Sequence, residues 1–375
     1  RHVVSGSWDR SVRLWDVATG RDLSELEGHV APVTAVGVTP DGRHVVSGSR
    51  DRTVRMWDVA MGREVCKLVG HTSLVTAVSV TPDGRHVVSG SWDRTVCVWD
   101  FATGRELRKL EGHSKAVTAV NVTPDGRHVV SGSWDRSVRM WDVATGREVR
   151  KLEGHADFVM AVNVTPDGRH VVSGSWDRTV RVWDVATGRE VRKLEGHSKA
   201  VTAVNVMSDG RHVVSGSLDR SVRMWDIAMG REVRKLKVHA APVTTVSVTP
   251  DGRHVVSGLE DNSVCIWDVA TGREVSKLEG HTASVTAVSV TPDARHVVSA
   301  SADGRVVCQL EEHTNTVSSI SVSRLDGSSV EHHAFKGACC SMRMLGVGGG
   351  LQTTSAYGTI DVGSDEVALA LFRRT

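Results

Sequence analysis

No apolar run in these 375 residues approaches the ~20 needed to span a bilayer, so no membrane-crossing helix is expected. Charge of one sign is also lacking. A net charge of +2 gives no broad field for holding a phosphate backbone, which argues against nucleic acid as a partner from charge alone. The six cysteines (Cys66, Cys97, Cys265, Cys308, Cys339 and Cys340) show no C-x-x-C pair and no His/Cys ligand spacing. That argues against zinc and for a reducing, intracellular compartment, read as cytoplasmic with the nucleus as the other option. No phosphate-cradling P-loop pattern occurs, and the glycine-rich stretch 346–350 lacks a following helix signal, so no nucleotide or other cofactor is expected.

What the chain does have is a period. Trp-Asp pairs at Trp15, Trp57, Trp99, Trp141, Trp183, Trp225 and Trp267 stand 42 residues apart, which makes the sequence a repeat array. Within one unit, Val117–Val122 alternates apolar and small or polar residues, as a half-buried strand does. Thr123-Pro124-Asp125-Gly126 is turn chemistry: Pro fixes φ and Gly is free to take φ > 0. His128–Ser133 reads as a second strand, 137–141 as a third after the Trp134-Asp135-Arg136 turn, and 148–153 as a more polar fourth. One such antiparallel sheet cannot bury both faces alone. The first residue, Arg1, is not Met and lies in mid-repeat, so the chain reads as a fragment.

The Gly-His, Asp and Trp-Asp signature at this fixed period resembles the WD-repeat β-propeller family, over roughly residues 1–300. The resemblance implies an all-β fold of four-stranded antiparallel blades packed radially around a channel. It also implies a buried hydrogen-bonded tetrad in each blade. The matching sets here are His29/Ser47/Asp51/Trp57, His71/Ser89/Asp93/Trp99, His113/Ser131/Asp135/Trp141, His155/Ser173/Asp177/Trp183, His197/Ser215/Asp219/Trp225 and His239/Ser257/Asp261/Trp267. Some family members that recruit ubiquitin-ligase machinery carry Arg two places after the Trp-Asp pair. Alanine stands there throughout, from Ala18 to Ala270, so that docking mode loses its support.

The N-terminal piece holds Ser5, Asp9 and Trp15 without a histidine or a first strand. His281 and Val285–Val290 are expected to supply both, closing a ring of seven blades over residues 1–290. The alternative is eight blades, with 291–310 completing a stunted blade and 317–322 closing the ring. On the first reading, 291–323 is a truncated repeat with an extra strand, and 324–375 is a degenerate blade or flexible tail. In that tail, 359–371 faintly resembles the last two strands of a repeat.

Ser, His and Asp in every unit invite a hydrolytic reading, but no one quartet is marked as special, so a structural tetrad and a non-enzyme are expected. Sixteen of the 18 histidines fall on two repeat positions, and the remaining pair, His332 and His333, has no further ligands nearby. No metal site is expected.

Because the units are nearly identical, their differences are informative. The place before the turn Asp and the place three after the His must share one end of each blade, since the first two strands run antiparallel. The first place reads Trp8, Arg50, Trp92, Trp134, Trp176, Leu218 and Glu260; the second reads Pro32, Leu74, Ala116, Phe158, Ala200, Pro242 and Ser284. Leu74, Trp92, Trp134, Phe158, Met160 and Trp176 are the expected partner-binding residues, bordered by Lys115, Asp157 and Lys199. Met160 stands where every other full repeat has Thr. The competing reading makes each of these Trp residues a packing residue copied by duplication. The expected function is a non-enzymatic scaffold that binds a partner protein or peptide, as part of a larger signalling or regulatory protein. The alternative is nucleic-acid or phospho-ligand binding through Arg10, Arg52, Arg94, Arg136, Arg178 and Arg220 on the same face.

Overall fold

The second strand of six repeats, H-V-V-S-G-S, is buried from its second residue onward. A strand covered on both faces has room only for small and β-branched side chains, and this composition meets that demand. Gly132 shows the limit: a Cβ added there would lie 2.8 Å from Val159 Cγ1 of the next repeat. The same near-contact recurs at Gly48, Gly90, Gly174, Gly216 and Gly258, so glycine at this place sets how closely neighbouring sheets approach.

The computed structural model describes residues 2–17, 19, 21–236, 240–292 and 294–303, and the backbone of strands Val306–Val307, Val317–Ser323, Thr353–Ser355 and Gly358–Ile360. The chain separates into two units, Arg1–Cys339 and Cys340–Thr375. In the second, Thr353–Ser355 pairs antiparallel with Gly358–Ile360. The rest of 324–375 lies outside the described residues, as do Cys308, Cys339, Cys340, His332, His333 and the stretch 346–350.

The first unit is an all-β propeller with seven four-stranded antiparallel blades. Blade 4 is representative: Val117–Val122, His128–Ser133, Val138–Asp142 and Glu148–Leu152 pair in that order. Blades 2 (33–69), 3 (75–110), 5 (159–194), 6 (201–236) and 7 (243–278) repeat it. Each core lies between blades, not within one. Val130, Val138, Met140 and Leu152 of blade 4 pack with Val159, Val162 and Trp183 of blade 5, and Trp183 is 1% exposed. A blade therefore has its apolar face covered by its neighbour.

The closing strand differs from the sequence expectation. His2–Ser7, the second strand of blade 1, pairs with Val317–Ser323 and not with Val285–Val290. Val285–Val290 instead opens an eighth sheet of three strands with Val297–Ser301 and Val306–Val307, here blade 8. The ring of sheets thus extends to 323 and not to 290. Blade 8 lacks a tryptophan of its own, yet Val298 and Ala300 pack against Val3 and Trp15 of blade 1. That covered face is what holds an incomplete blade in the circle, and pairing the last strand to the first removes two free sheet edges.

Candidate interaction surface

The tetrads come first, because they fix the turns that carry the surface. In blade 4, Trp141 Nε1 lies 2.9 Å from Ser131 Oγ, which lies 2.8 Å from His113 Nε2; His113 Nδ1 lies 2.8 Å from Asp135 Oδ2. An indole N–H only donates and a carboxylate only accepts, so the proton order is fixed. Trp141 donates to Ser131, Ser131 donates to His113 Nε2, and His113 donates through Nδ1–H to Asp135.

Four further quartets are assembled in the same way. The chain of bonds runs from Trp57 through Ser47 and His29 to Asp51 in blade 2, and from Trp99 through Ser89 and His71 to Asp93 in blade 3. It runs from Trp183 through Ser173 and His155 to Asp177 in blade 5, and from Trp225 through Ser215 and His197 to Asp219 in blade 6. The indole–serine distances are 2.8–2.9 Å, the serine–imidazole distances 2.7–2.8 Å and the imidazole–carboxylate distances 2.7–2.9 Å. Burial holds His155 and His197 below the usual histidine range, against the pull of Asp177 and Asp219, which keeps both rings neutral. For Asp135, burial pushes the carboxyl up, but hydrogen bonds from His113 and Ser137 outweigh it and hold it well below the usual carboxylate range. Ser47, Ser89, Ser131, Ser173 and Ser215 have no exposed surface, so a hydroxyl already committed to imidazole has no route to a substrate.

Two sets depart from this pattern. His281 was expected to join Ser5, Asp9 and Trp15; it lies instead 2.9 Å from Ser299 and 3.3 Å from Asp303, inside blade 8. Ser5 accepts from Trp15 at 2.7 Å within blade 1, and Asp9 holds Ser11. The cause is the change of closing strand, which moves His281 one blade away. In blade 7 the expected quartet of His239, Ser257, Asp261 and Trp267 is described only in part. Trp267 donates to Ser257 at 3.0 Å, and Asp261 accepts from Ser263 through N at 3.2 Å and Oγ at 2.6 Å. His239, which was to link Ser257 to Asp261, lies outside the described residues.

The turn above each tetrad meets the start of the first strand through one backbone bond. Trp92 N donates to Leu74 O, Trp134 N to Ala116 O and Trp176 N to Phe158 O at 2.9–3.0 Å, and Arg50, Leu218 and Glu260 repeat the bond. The two variable places therefore do share one end of every one of these blades. Across blades the aromatic rings form a chain. Trp92 and Trp134 have centroids 5.1 Å apart, Trp134 stacks on Phe158 at 5.4 Å, and Phe158 meets Trp176 at 5.6 Å. Lys115 lies 6.0 Å from the Phe158 ring. Trp92, Trp134, Phe158 and Trp176 are each half-buried, with one part in the ring-to-ring contacts and another open to solvent.

With that geometry established, comparison with known proteins adds the family. The model described as "WD domain, G-beta repeat" matches residues 1–16, 20–58, 62–100, 104–142, 146–184, 188–226, 230–268 and 272–308. The chain belongs to the WD40 repeat family. WD40 propellers commonly serve as protein-interaction platforms. Two similar proteins are the rice small ribosomal subunit protein RACK1y, 52% identical over 40 residues, and Autophagy-related protein 16 of Arabidopsis thaliana, 48% identical over 40 residues. Each match covers 11% of this chain, and 12% and 8% of those proteins, so the chain spans about a tenth of the length of the curated relatives it matches.

Three features of this WD40 propeller escaped the sequence reading. Threonine hydroxyls of Thr34, Thr76, Thr118, Thr202 and Thr244 staple each blade to a first-strand carbonyl of the next at 2.6–2.8 Å. Met160 stands at this position in blade 5, so the junction of blades 5 and 6 has no such hydroxyl. On the outer strands, Arg108, Arg150, Arg192 and Arg234 each donate to a carbonyl in the following blade. On the first strands, Asn121 donates to Asn163 at 3.2 Å and Asn163 to Asn205 at 3.3 Å, an amide chain across three blades. Asparagine at one register of three successive repeats was the visible signal, but only the ring places those residues side by side.

Among the described residues no cluster of three or more His, Cys, Asp or Glu is arranged to hold a metal ion, and no helix is long and apolar enough to cross a membrane. Cys66, Cys97 and Cys265 are free thiols, and burial pushes Cys265 up to about 12, far from a reactive thiolate.

Proposed function

We propose that this propeller is a non-enzymatic interaction scaffold that binds a partner protein or extended peptide across the Trp92–Trp134–Phe158–Trp176 crescent. Leu74, whose carbonyl accepts from Trp92 N, and Met160, two residues after Phe158, belong to the proposed surface, and the propeller serves within a larger signalling or regulatory protein inside the cell. The observation that carries the reading is the contiguity of the rings. Four aromatic side chains from blades 3, 4 and 5 touch in sequence at one end of the ring, each with surface left for a ligand. Aromatic anchors that cost little side-chain entropy on binding, rimmed by charge, are what peptide recognition uses. The framework beneath is rigid and repeated, while the crescent varies from blade to blade. That is the distribution expected when a scaffold positions a binding surface.

The test is selection from a displayed peptide library with the wild type and with Trp134→Ala/Phe158→Ala/Trp176→Ala, after melting curves have shown both to be folded. Peptides enriched by the wild type should bind the variant at least about 10-fold more weakly, the loss of about 1.4 kcal/mol. Equal binding by both proteins would make the rings packing residues and overturn the reading.

A further inference from the structure

Arg52, Arg94, Arg136, Arg178 and Arg220, on five consecutive blades, occupy left-handed backbone with φ of 70°, 74°, 71°, 72° and 69°. Any residue with a Cβ is disfavoured there, and the usual occupants are Gly, Asn and Asp. Asn262 makes the same turn in blade 7 with φ 73°, so the turn itself does not require arginine. All five arginines are exposed, and among the described residues their guanidinium groups enter no hydrogen bond or ion pair.

The adjacent aspartates do not neutralise them by contact, because their oxygens are already taken. Asp93 accepts from His71, from the backbone N of Thr72 and from both N and Oγ1 of Thr95, at 2.6–2.9 Å. Asp135 and Asp177 are occupied in the same way. The result is a layered turn with a saturated, buried carboxylate below and a free guanidinium above. Arg10 continues the arc in blade 1 with φ 79°, and the sign changes only past blade 6, where blade 7 offers Glu260 beside Asn262. The cationic arc overlaps the aromatic crescent, Arg94, Arg136 and Arg178 each directly following the turns that carry Trp92, Trp134 and Trp176.

The geometry points to an extended acidic peptide as the occupant of this face, with apolar side chains on the aromatic rings and carboxylates paired to Arg94, Arg136 and Arg178. The inference rests on the crescent being the binding surface and adds the chemistry of the partner. Backbone strain kept in these turns, when a residue that tolerates them better is available, fits a side chain retained for contact. Guanidinium groups in a fixed row suit carboxylates, which they can hold through two parallel hydrogen bonds.

The experiment is fluorescence anisotropy with a labelled peptide carrying glutamates on both sides of a phenylalanine pair, its glutamine counterpart, and single-stranded oligodeoxythymidylate. The protein variant is Arg94→Asn/Arg136→Asn/Arg178→Asn, and the control with equal charge change is Arg85→Asn/Arg127→Asn/Arg169→Asn at the opposite end of the same strands. We expect the wild type to favour the glutamate peptide, with an affinity that falls as salt rises. The turn variant should lose about 30-fold, the sum of three exposed pairs, while the control keeps its affinity. The turn variant should also melt no lower than the wild type, since asparagine tolerates the left-handed turn. Equal binding of glutamate and glutamine peptides, or an unchanged turn variant, would overturn the proposal while leaving the crescent reading intact. Tighter binding of the oligonucleotide would overturn it in favour of nucleic acid. A turn variant that melts lower and loses both peptides alike would make the arginines a structural device. Failure of the crescent reading itself has a different signature: Trp134→Ala/Phe158→Ala/Trp176→Ala would retain the glutamate peptide.

Discussion

Replacing Asp135 with alanine tests the tetrad most directly. The carboxylate accepts four hydrogen bonds, from His113 Nδ1 at 2.8 Å, Ser114 N at 3.0 Å, Ser137 N at 2.9 Å and Ser137 Oγ at 2.6 Å. Ser114 is exposed, so water replaces its bond at little cost. The His113 side chain is only 1% exposed, and its orphaned N–H costs about 2 kcal/mol. The two Ser137 bonds, which hold a tight turn, add about 1 kcal/mol. The expected loss is therefore about 3 kcal/mol, measured by urea denaturation with the m-value checked for two-state behaviour. Asp125→Ala is the comparison. This turn aspartate is exposed and bonds Thr123 Oγ1 and Arg127 N, so its removal should cost under about 1 kcal/mol. Acid supplies a second signature. The Asp135 carboxyl is held below its unfolded value, so its stabilisation is fully present above about pH 4 and drains away as pH falls through the depressed value. The gap between wild type and Asp135→Ala should narrow over that window. A variant with an unchanged midpoint, or a gap that stays constant down to strong acid, would refute the proton order assigned to the tetrad.

Met160→Thr should restore a hydroxyl facing the Val201 carbonyl and raise stability by about 1 kcal/mol, read as a shift in denaturation midpoint. Gly132→Ala should cost about 1–3 kcal/mol, because the new methyl group meets Val159 Cγ1 on a neighbouring blade that has no slack; melting curves decide it. His155 and His197 are neutral and held below the usual value by burial, so unfolding takes up protons as pH falls below about 6.5. Their contribution is complete above that pH and is lost on going down through the lowered values. His155→Gln/His197→Gln should flatten that part of the stability profile, measured as unfolding free energy against pH.

The repeat made most of the fold legible before any coordinates. Strand ends, turn residues and the quartets of blades 2 to 6 follow from one 42-residue pattern, because a blade is a local antiparallel sheet whose pairing is set by short turns. The shared end of the two variable places was legible for the same reason. What local pattern does not contain is the neighbour. The stacking of Trp134 on Phe158, the staple of Thr118 to Val159 and the amide chain from Asn121 to Asn205 all cross from one blade to the next. In sequence they are residues about 24 to 42 positions apart, and nothing within one repeat says that they touch.

The closing of the ring divides the two kinds of information most sharply. Val285–Val290 and Val317–Ser323 have the same alternation, so the pattern alone does not say which of them pairs with His2–Ser7. The sequence by itself determined that such an edge must be covered by a strand from the C-terminal side. Tertiary packing decided which strand does so. Blade 8, though it has lost its own tryptophan, still presents Val298 and Ala300 to Trp15, and its first strand covers Val256 and Val264 of blade 7. Burial on both faces keeps this short sheet in the circle, and His281 stays with Ser299 and Asp303 as a consequence. Strand pairing is degenerate among repeats, whereas the fit of one face on the next is not, so the choice between closing strands belongs to the assembled ring.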